Sequence, residues 1–245
     1  MITPNQRVLL LSSGRHNENG KRSALFKGHE DTIVNLFDGR DVLYIRYAQP
    51  PEKRAKPRTV VTDKFEEFGL NLISLDESKA RDAIEDAAAF YVSGGNTWAL
   101  AYQFQWGGLG PIIKRKIDSG TPYMGGSAGA VTAGQYIGST NDNQSPMHNQ
   151  VSSQGLGVIP FMIKPHFLGN FSPEVYGGET HSDHVRELFD FGSTIPVLGM
   201  PEGSGVLVQN GRTAYRGPTG TLFRKIGEVV EEASIEHNST LDALL

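Results

Sequence analysis

The sequence predicts an α/β fold with a mostly parallel sheet, helices on both of its faces and antiparallel strands at the C-terminal end, and three observations predict it. Apolar runs at Val8–Leu11, Val42–Tyr47 and Ala89–Ser93 recur with segments of helical length between them. The runs are near-continuous rather than alternating, as strands buried on both faces require. After residue 200 the texture changes, and Asn210-Gly211 separates two β-prone runs in the manner of a hairpin turn.

Taken in order, Val8–Leu11 stops at Ser12-Ser13-Gly14, which marks a strand end. Lys21–Phe37 has helical length, Val42–Tyr47 is the next strand, and Thr59–Phe68, Leu70–Leu75 and Glu77–Ala88 repeat the helix, strand, helix succession. Ala89–Ser93 is a strand that ends at Ser93-Gly94-Gly95-Asn96. Pro111–Ser119 reads as a helix and Thr121–Met124 as a short strand, and the small residues from Ser127 to Ala133 suit a helix packed closely on a sheet. Phe161–Pro165 and Ile195–Met200 are further apolar runs, followed by His166 and by Pro201-Glu202-Gly203. Val206–Val208 and Thr221–Phe223 belong to the antiparallel close.

At 245 residues the chain is long enough for a substantial core. With no Pro/Gly/Ser-rich linker and no internal repeat, a single domain over residues 1–245 is expected. A net charge of −4 gives no general attraction for nucleic acid or an anionic membrane, so neither is expected as a partner. The basic cluster Lys53, Arg54, Lys56 and Arg58 lies among prolines and is expected to be an extended, solvated loop. The absence of cysteine excludes disulfides and a thiolate nucleophile. The opening MITPNQRVLLLSS is too short in apolar residues for a signal peptide, and no segment approaches a membrane span, which leads us to expect a cytoplasmic protein. Monomer and homodimer are both compatible with the sequence.

In α/β sheets reactive groups gather beyond the C-terminal ends of the strands. One strand end stands out. Gly125-Gly126-Ser127-Ala128-Gly129-Ala130 has the form of a nucleophile elbow, a tight strand-to-helix bend that leaves a serine Oγ exposed above the sheet. With 29 glycines in the chain the pattern arises by chance about 0.25 times, so its flanking strand and helix carry the argument. The alternative is a phosphate-binding or structural glycine turn.

A serine hydroxyl needs a base, usually a histidine oriented by a carboxylate. Of seven histidines, His166 directly follows an apolar run, whereas His16, His29, His148 and His237 fall in polar segments. Glu202 follows a strand and precedes glycine, the same placement as Ser127. Asp142, in the polar segment Thr140-Asn141-Asp142-Asn143, competes with it, or is a turn residue bonded to nearby backbone. Ala128 N–H and a second donor from Gly94-Gly95-Asn96 would complete an oxyanion hole, although two adjacent glycines also suit an ordinary turn.

With these residues assembled, the chain resembles the peptidase E family of serine peptidases, the aspartyl dipeptidases. The resemblance rests on Ser93–Thr97, Gly126–Ala130, Thr140-Asn141-Asp142, Lys164-Pro165-His166-Phe167, Gly178-Glu179-Thr180, Arg186-Glu187-Leu188 and Gly199–Gly203, in family order. It implies a class I glutamine amidotransferase-like (flavodoxin-like) fold with serine in place of the amidotransferase cysteine. It further implies Ser127 as nucleophile, His166 as general base and acid, and Glu202 as the third member, with Asp142 at the family's other acidic position. Gly95 and Ala128 would supply the oxyanion-hole N–H groups, a small peptide would be the substrate, and no metal or cofactor would be needed.

Where the aspartyl dipeptidases carry arginine after Gly-Glu-Thr, this chain has His181, which puts aspartate selectivity in question. Asn96, Thr180 and His181 are the expected substrate-binding residues. The pair His181 and His184 also raises a metal site, for which the sequence indicates no third ligand. Arg186 is expected in a helix-surface ion pair with Glu187 or Asp190. A cyanophycinase-like or isoaspartyl peptide hydrolase, and a non-catalytic small-ligand binding protein on the same fold, are the competing readings.

Overall fold

The computed structural model describes residues 2–18, 20–169 and 178–242. Its parallel strands fall on the expected apolar runs through the first half, while the helices depart from expectation in places. Strand β1 spans Arg7–Leu11, and β2 (Asn17–Glu18) and β3 (Lys21–Arg22) form a small ribbon. Helix α1 covers only Glu30–Phe37, shorter than the expected Lys21–Phe37. The positive φ of Phe26 (61°) and Gly28 (84°) keeps the preceding segment out of the helical region.

Strand β4 (Val42–Ile45) leads to α2, a single turn at Pro51–Arg54. The basic segment is solvated as expected, with Lys53, Lys56 and Arg58 exposed, but it is helical rather than extended over Pro51–Arg54. Proline at the first position starts the turn, and the Arg46 guanidinium, on a residue 8% exposed, donates to the carbonyls of Lys53, Arg54 and Lys56. Next come α3 (Thr59–Glu67), β5 (Leu72–Ser74), α4 (Ala80–Asp86) and β6 (Phe90–Val92). Helices α5 (Thr97–Gln105) and α6 (Gly110–Asp118), strand β7 (Tyr123–Gly126) and helix α7 (Ala128–Ala133) complete this half.

Seven strands form one sheet, ordered β11-β10-β1-β7-β6-β4-β5, where β10 is Gly205–Gln209 and β11 is Arg212–Arg216. Strands β1, β7, β6, β4 and β5 run parallel, and β10 and β11 add antiparallel pairs beside β1. The β1 residues alternate between two cores, as the pleat requires. Val8 and Leu10 face a cluster built with Ile84, Leu100, Phe104 and Ile113, while Leu9 and Leu11 face one built with Ile33, Phe37, Val61 and Phe65. Helices therefore cover both faces.

The remaining strands make a second sheet, ordered β13-β12-β9-β8, from β8 (Met162–Pro165), β9 (Val197–Met200), β12 (Gly220–Ile226) and β13 (Val229–Ile235). Helix α8 (His181–Asp190) packs on it through Val185 and Phe189. The turn after β9 crosses from this sheet to β10 of the first, so Glu202 stands where the two sheets meet. No helix among the described residues is long and apolar enough to cross a membrane.

Candidate active site

Strand β7 runs parallel to β1, with Gly126 opposite Leu11, and the Ser127 N–H donates to the Leu11 carbonyl at 2.9 Å. The chain then bends sharply, placing Ser127 at φ 49°, ψ −108° as the residue before α7. That conformation is costly for a non-glycine residue and typical of functional turns. Gly129 makes the bend possible: a Cβ there would lie 2.3 Å from the Val92 carbonyl oxygen, so only glycine lets α7 press against the end of β6. Every residue of α7 is buried.

Beyond β8, His166 also takes a positive φ of 54°. Its Nε2 lies 2.9 Å from Ser127 Oγ, and its Nδ1 lies 3.3 Å from Glu202 Oε1. With the serine hydroxyl donating to Nε2, the neutral ring carries its proton on Nδ1, facing the carboxylate. The two side chains are 46% and 41% exposed, which leaves them open to a substrate from solvent.

Two buried groups hold this arrangement. Ser12 Oγ, at the end of β1, donates to the Met200 carbonyl at 2.8 Å and accepts from the His166 N–H at 2.9 Å. One hydroxyl thus ties the strand beside Ser127 to the chain carrying His166 and to the strand leading to Glu202. His29 Nε2 lies 3.1 Å from the Gly203 carbonyl and donates to it, steadying the residue after Glu202. Burial pushes the His29 pKa down and favours the neutral ring. The sequence marks Ser12 as a strand end but not its role, and His29 carries no sequence signal beyond its position in a polar segment.

Asp142 lines the same cleft as Ser127 and His166, but its bonds go to other groups. Its Oδ2 accepts from the Thr97 N–H at 2.7 Å, Thr97 Oγ1 at 2.6 Å and Thr140 Oγ1 at 3.0 Å, anchoring its loop to the start of α5. Glu202, not Asp142, is the carboxylate beside the histidine. Gly95 has φ 145°, and a Cβ there would lie 2.2 Å from the Ala48 carbonyl oxygen. With Ser127, His166, Pro165, Thr97, Thr140, Asn141 and Asp142 it lines a cleft of about 250 Å³. Ala128, the first residue of α7, places its N–H at a helix N-terminus, where the backbone dipoles favour negative charge.

The expected substrate contacts divide. Asn96 and Thr180 cap helices: Asn96 Oδ1 accepts from the Ala99 N–H at 2.9 Å and its Nδ2 donates to the Asn143 carbonyl at 2.9 Å. Thr180 Oγ1 donates to Asp183 Oδ2 at 2.6 Å and accepts from the Asp183 N–H at 3.1 Å, closing a capping box on α8. These bonds engage both side chains within the fold. His181, at the start of α8, accepts at Nδ1 from the Leu168 N–H at 3.3 Å, and burial pushes its pKa down, with Lys164, His184 and His166 adding to the effect.

His184 Nε2 faces Glu179 Oε2 at 3.8 Å, and no group of three metal-ligating side chains gathers among the described residues. Arg186 does form helix-surface ion pairs, with Asp183 and with Glu232 of β13 rather than Glu187 or Asp190. A second cleft of about 250 Å³, between α5 and α6, is mostly apolar and carries no nucleophile beside a base.

Known proteins resemble this chain in sequence and in fold. The peptidase family S51 profile matches residues 8–215. The chain is 32% identical to "Peptidase E" of Haemophilus influenzae over 205 residues, covering 83% of this chain and 92% of that one. It is 36% identical to "Peptidase E" of Salmonella arizonae over 198 residues, covering 80% and 85%. A Drosophila melanogaster protein named "Probable alpha-aspartyl dipeptidase" is 31% identical over 231 residues, covering 93% and 94%. The crystal structure of a peptidase from an acI-B1 Actinobacterium shares the fold, with a TM-score of 0.69, 17% identity and 96% of each chain covered. By profile, by relatives and by a serine set in a nucleophile elbow beside a histidine, the chain belongs to peptidase family S51 and is a serine-type peptidase.

Proposed function

We propose that this protein hydrolyses dipeptides with an acidic N-terminal residue through a Ser127-His166-Glu202 acyl-enzyme mechanism. The observation that carries the reading is the run of contacts from Ser127 Oγ through the two His166 nitrogens to Glu202, at 2.9 and 3.3 Å. Ser127 Oγ attacks the peptide carbonyl as its proton passes to His166 Nε2, and Glu202 stabilises the imidazolium that forms. The carbonyl oxygen becomes an oxyanion held by the N–H groups of Gly95 and Ala128. His166 then protonates the departing amine, which breaks the C–N bond and leaves an acyl-Ser127 ester. Water, deprotonated by His166, hydrolyses the ester and restores the serine.

The small cleft supports a dipeptide rather than a folded protein as substrate, and the name of the Drosophila relative supports an aspartyl residue at its N-terminus. The test is a panel of Asp-Leu, Glu-Leu, Asn-Leu, Ala-Leu and β-Asp-Leu offered to the wild type and to Ser127→Ala. Serine-dependent cleavage led by Asp-Leu is expected. Cleavage confined to β-Asp-Leu would move the protein to isoaspartyl hydrolysis, and a folded protein inert toward both the panel and a fluorophosphonate would be a binding protein.

A further inference from the structure

We propose that Lys164 is the specificity-determining cation of this site, pairing with the side-chain carboxylate of an acidic N-terminal residue. The inference rests on the dipeptidase reading and names the residue that reads its substrate. Lys164 lies on β8, two residues before His166, and is 3% exposed. Its ammonium donates to Asn141 Oδ1, a neutral acceptor, and among the described residues no carboxylate lies within ion-pair distance of it. A buried ammonium without a counter-charge is costly, and proteins tolerate one where it has a use.

The surroundings add positive potential rather than cancelling it. His181 stands at the N-terminus of the ten-residue helix α8, and the charge of Lys164 acts on it directly. Because His181 Nδ1 accepts from the Leu168 N–H, the neutral ring keeps a hydrogen on Nε2 and remains a donor there. The other described groups near this corner are engaged elsewhere or carry the same sign. His166 and His184 are cations when protonated. Asp183 is held by Thr180 and Arg186, Glu179 faces His184, and Asp142 accepts from Thr97 and Thr140. Asn141 lines the cleft together with Ser127 and His166, so the ammonium lies one side chain behind the cleft wall. A substrate carboxylate oxygen that replaces the Asn141 amide oxygen gains a full charge partner.

Burial pushes the Lys164 pKa down to about 8, so the free enzyme loses this cation just above neutral pH. The experiment compares kcat/KM for the near-isosteric pair Asp-Leu and Asn-Leu, from pH 6 to 10, in the wild type and in Lys164→Met. The ratio removes effects common to both substrates, including titration of His166. The wild type is expected to prefer Asp-Leu up to pH 8 and to lose that preference about tenfold per pH unit above it. Lys164→Met is expected to lower the ratio about 10- to 100-fold at pH 7, the value of a hydrogen bond to a charged group. A ratio unchanged by the substitution, or flat with pH in the wild type, overturns the assignment. The wild-type pH arm decides the matter if the variant does not fold. If neither dipeptide is turned over, the dipeptidase reading fails separately. Calorimetric titration of Ser127→Ala with both dipeptides then reads the same preference, and equal affinities overturn the role of Lys164.

Discussion

Replacing Ser12 with alanine removes one oxygen from a fully buried position and opens the clamp on the catalytic chain. The Met200 carbonyl keeps a partner, the Phe167 N–H at 3.0 Å, so the loss concentrates on the His166 N–H, which Ser12 Oγ receives at 2.9 Å. An orphaned backbone donor costs about 1–3 kcal/mol. At about 2–4 °C per kcal/mol for a domain of this size, the melting temperature falls by about 2–12 °C. His166 also sits at φ 54°, a conformation that relaxes when its anchor is lost. A displacement of about 1 Å in a catalytic group costs up to about 100-fold, so kcat falls about 10- to 100-fold with KM nearly unchanged. Thermal melts by circular dichroism, steady-state kinetics on the best dipeptide and the rate of fluorophosphonate labelling measure the three effects. A variant with a lowered melting temperature and wild-type kcat would refute positioning and leave Ser12 a purely structural residue.

Glu202→Gln is expected to lower kcat roughly 10²- to 10⁴-fold, because the amide no longer holds and stabilises the imidazolium, and Asp142→Asn to lower it much less while loosening the start of α5; steady-state kinetics on both variants ranks them. Gly95→Ala is expected to yield little folded protein, since its Cβ would lie 2.2 Å from the Ala48 carbonyl oxygen, as read by soluble yield and melting temperature. Lys164→Met is expected to be more stable than the wild type at pH 7, by an amount on the order of 1–3 kcal/mol in urea titrations. The folded-state pKa of Lys164, about 8, lies below the 10.5 of a free lysine. Below pH 8 the side chain is therefore protonated in both states and the folded state bears the whole burial cost. Between those two values the unfolded state binds more protons, so wild-type stability rises and the advantage of the variant disappears.

The parts of the molecule that the sequence discloses are those whose chemistry is local. Gly125-Gly126-Ser127-Ala128-Gly129 is legible because the bend itself demands glycine: the close approach of Gly129 to Val92 leaves no room for another residue. His166 and Glu202 are legible because each ends an apolar run. What escapes is pairing across the chain. Apolar runs report burial but not the neighbouring strand, so nothing in Met162–Pro165 or Val197–Met200 says that they form a second sheet with β12 and β13. Asn96 and Thr180 look alike as substrate ligands and as helix caps, because the same side-chain groups serve both purposes. Ser12 and His29 act through contacts 154 and 174 residues away along the chain, with His166 and Gly203 respectively. Lys164 stands in a recognised motif, yet the absence of a counter-charge among the described residues is a property of the surrounding space.

The proposed chemistry requires Ser127 to be an activated nucleophile held by His166 and Glu202. The direct measurement is intact-protein mass spectrometry after treatment with a fluorophosphonate, with the modified peptide located by fragmentation, on the wild type, Ser127→Ala and Glu202→Gln. A single adduct on Ser127 is expected in the wild type, with none in Ser127→Ala and slower labelling in Glu202→Gln. Labelling that persists in Ser127→Ala, or a wild type that resists the reagent while folded, would contradict that role for Ser127.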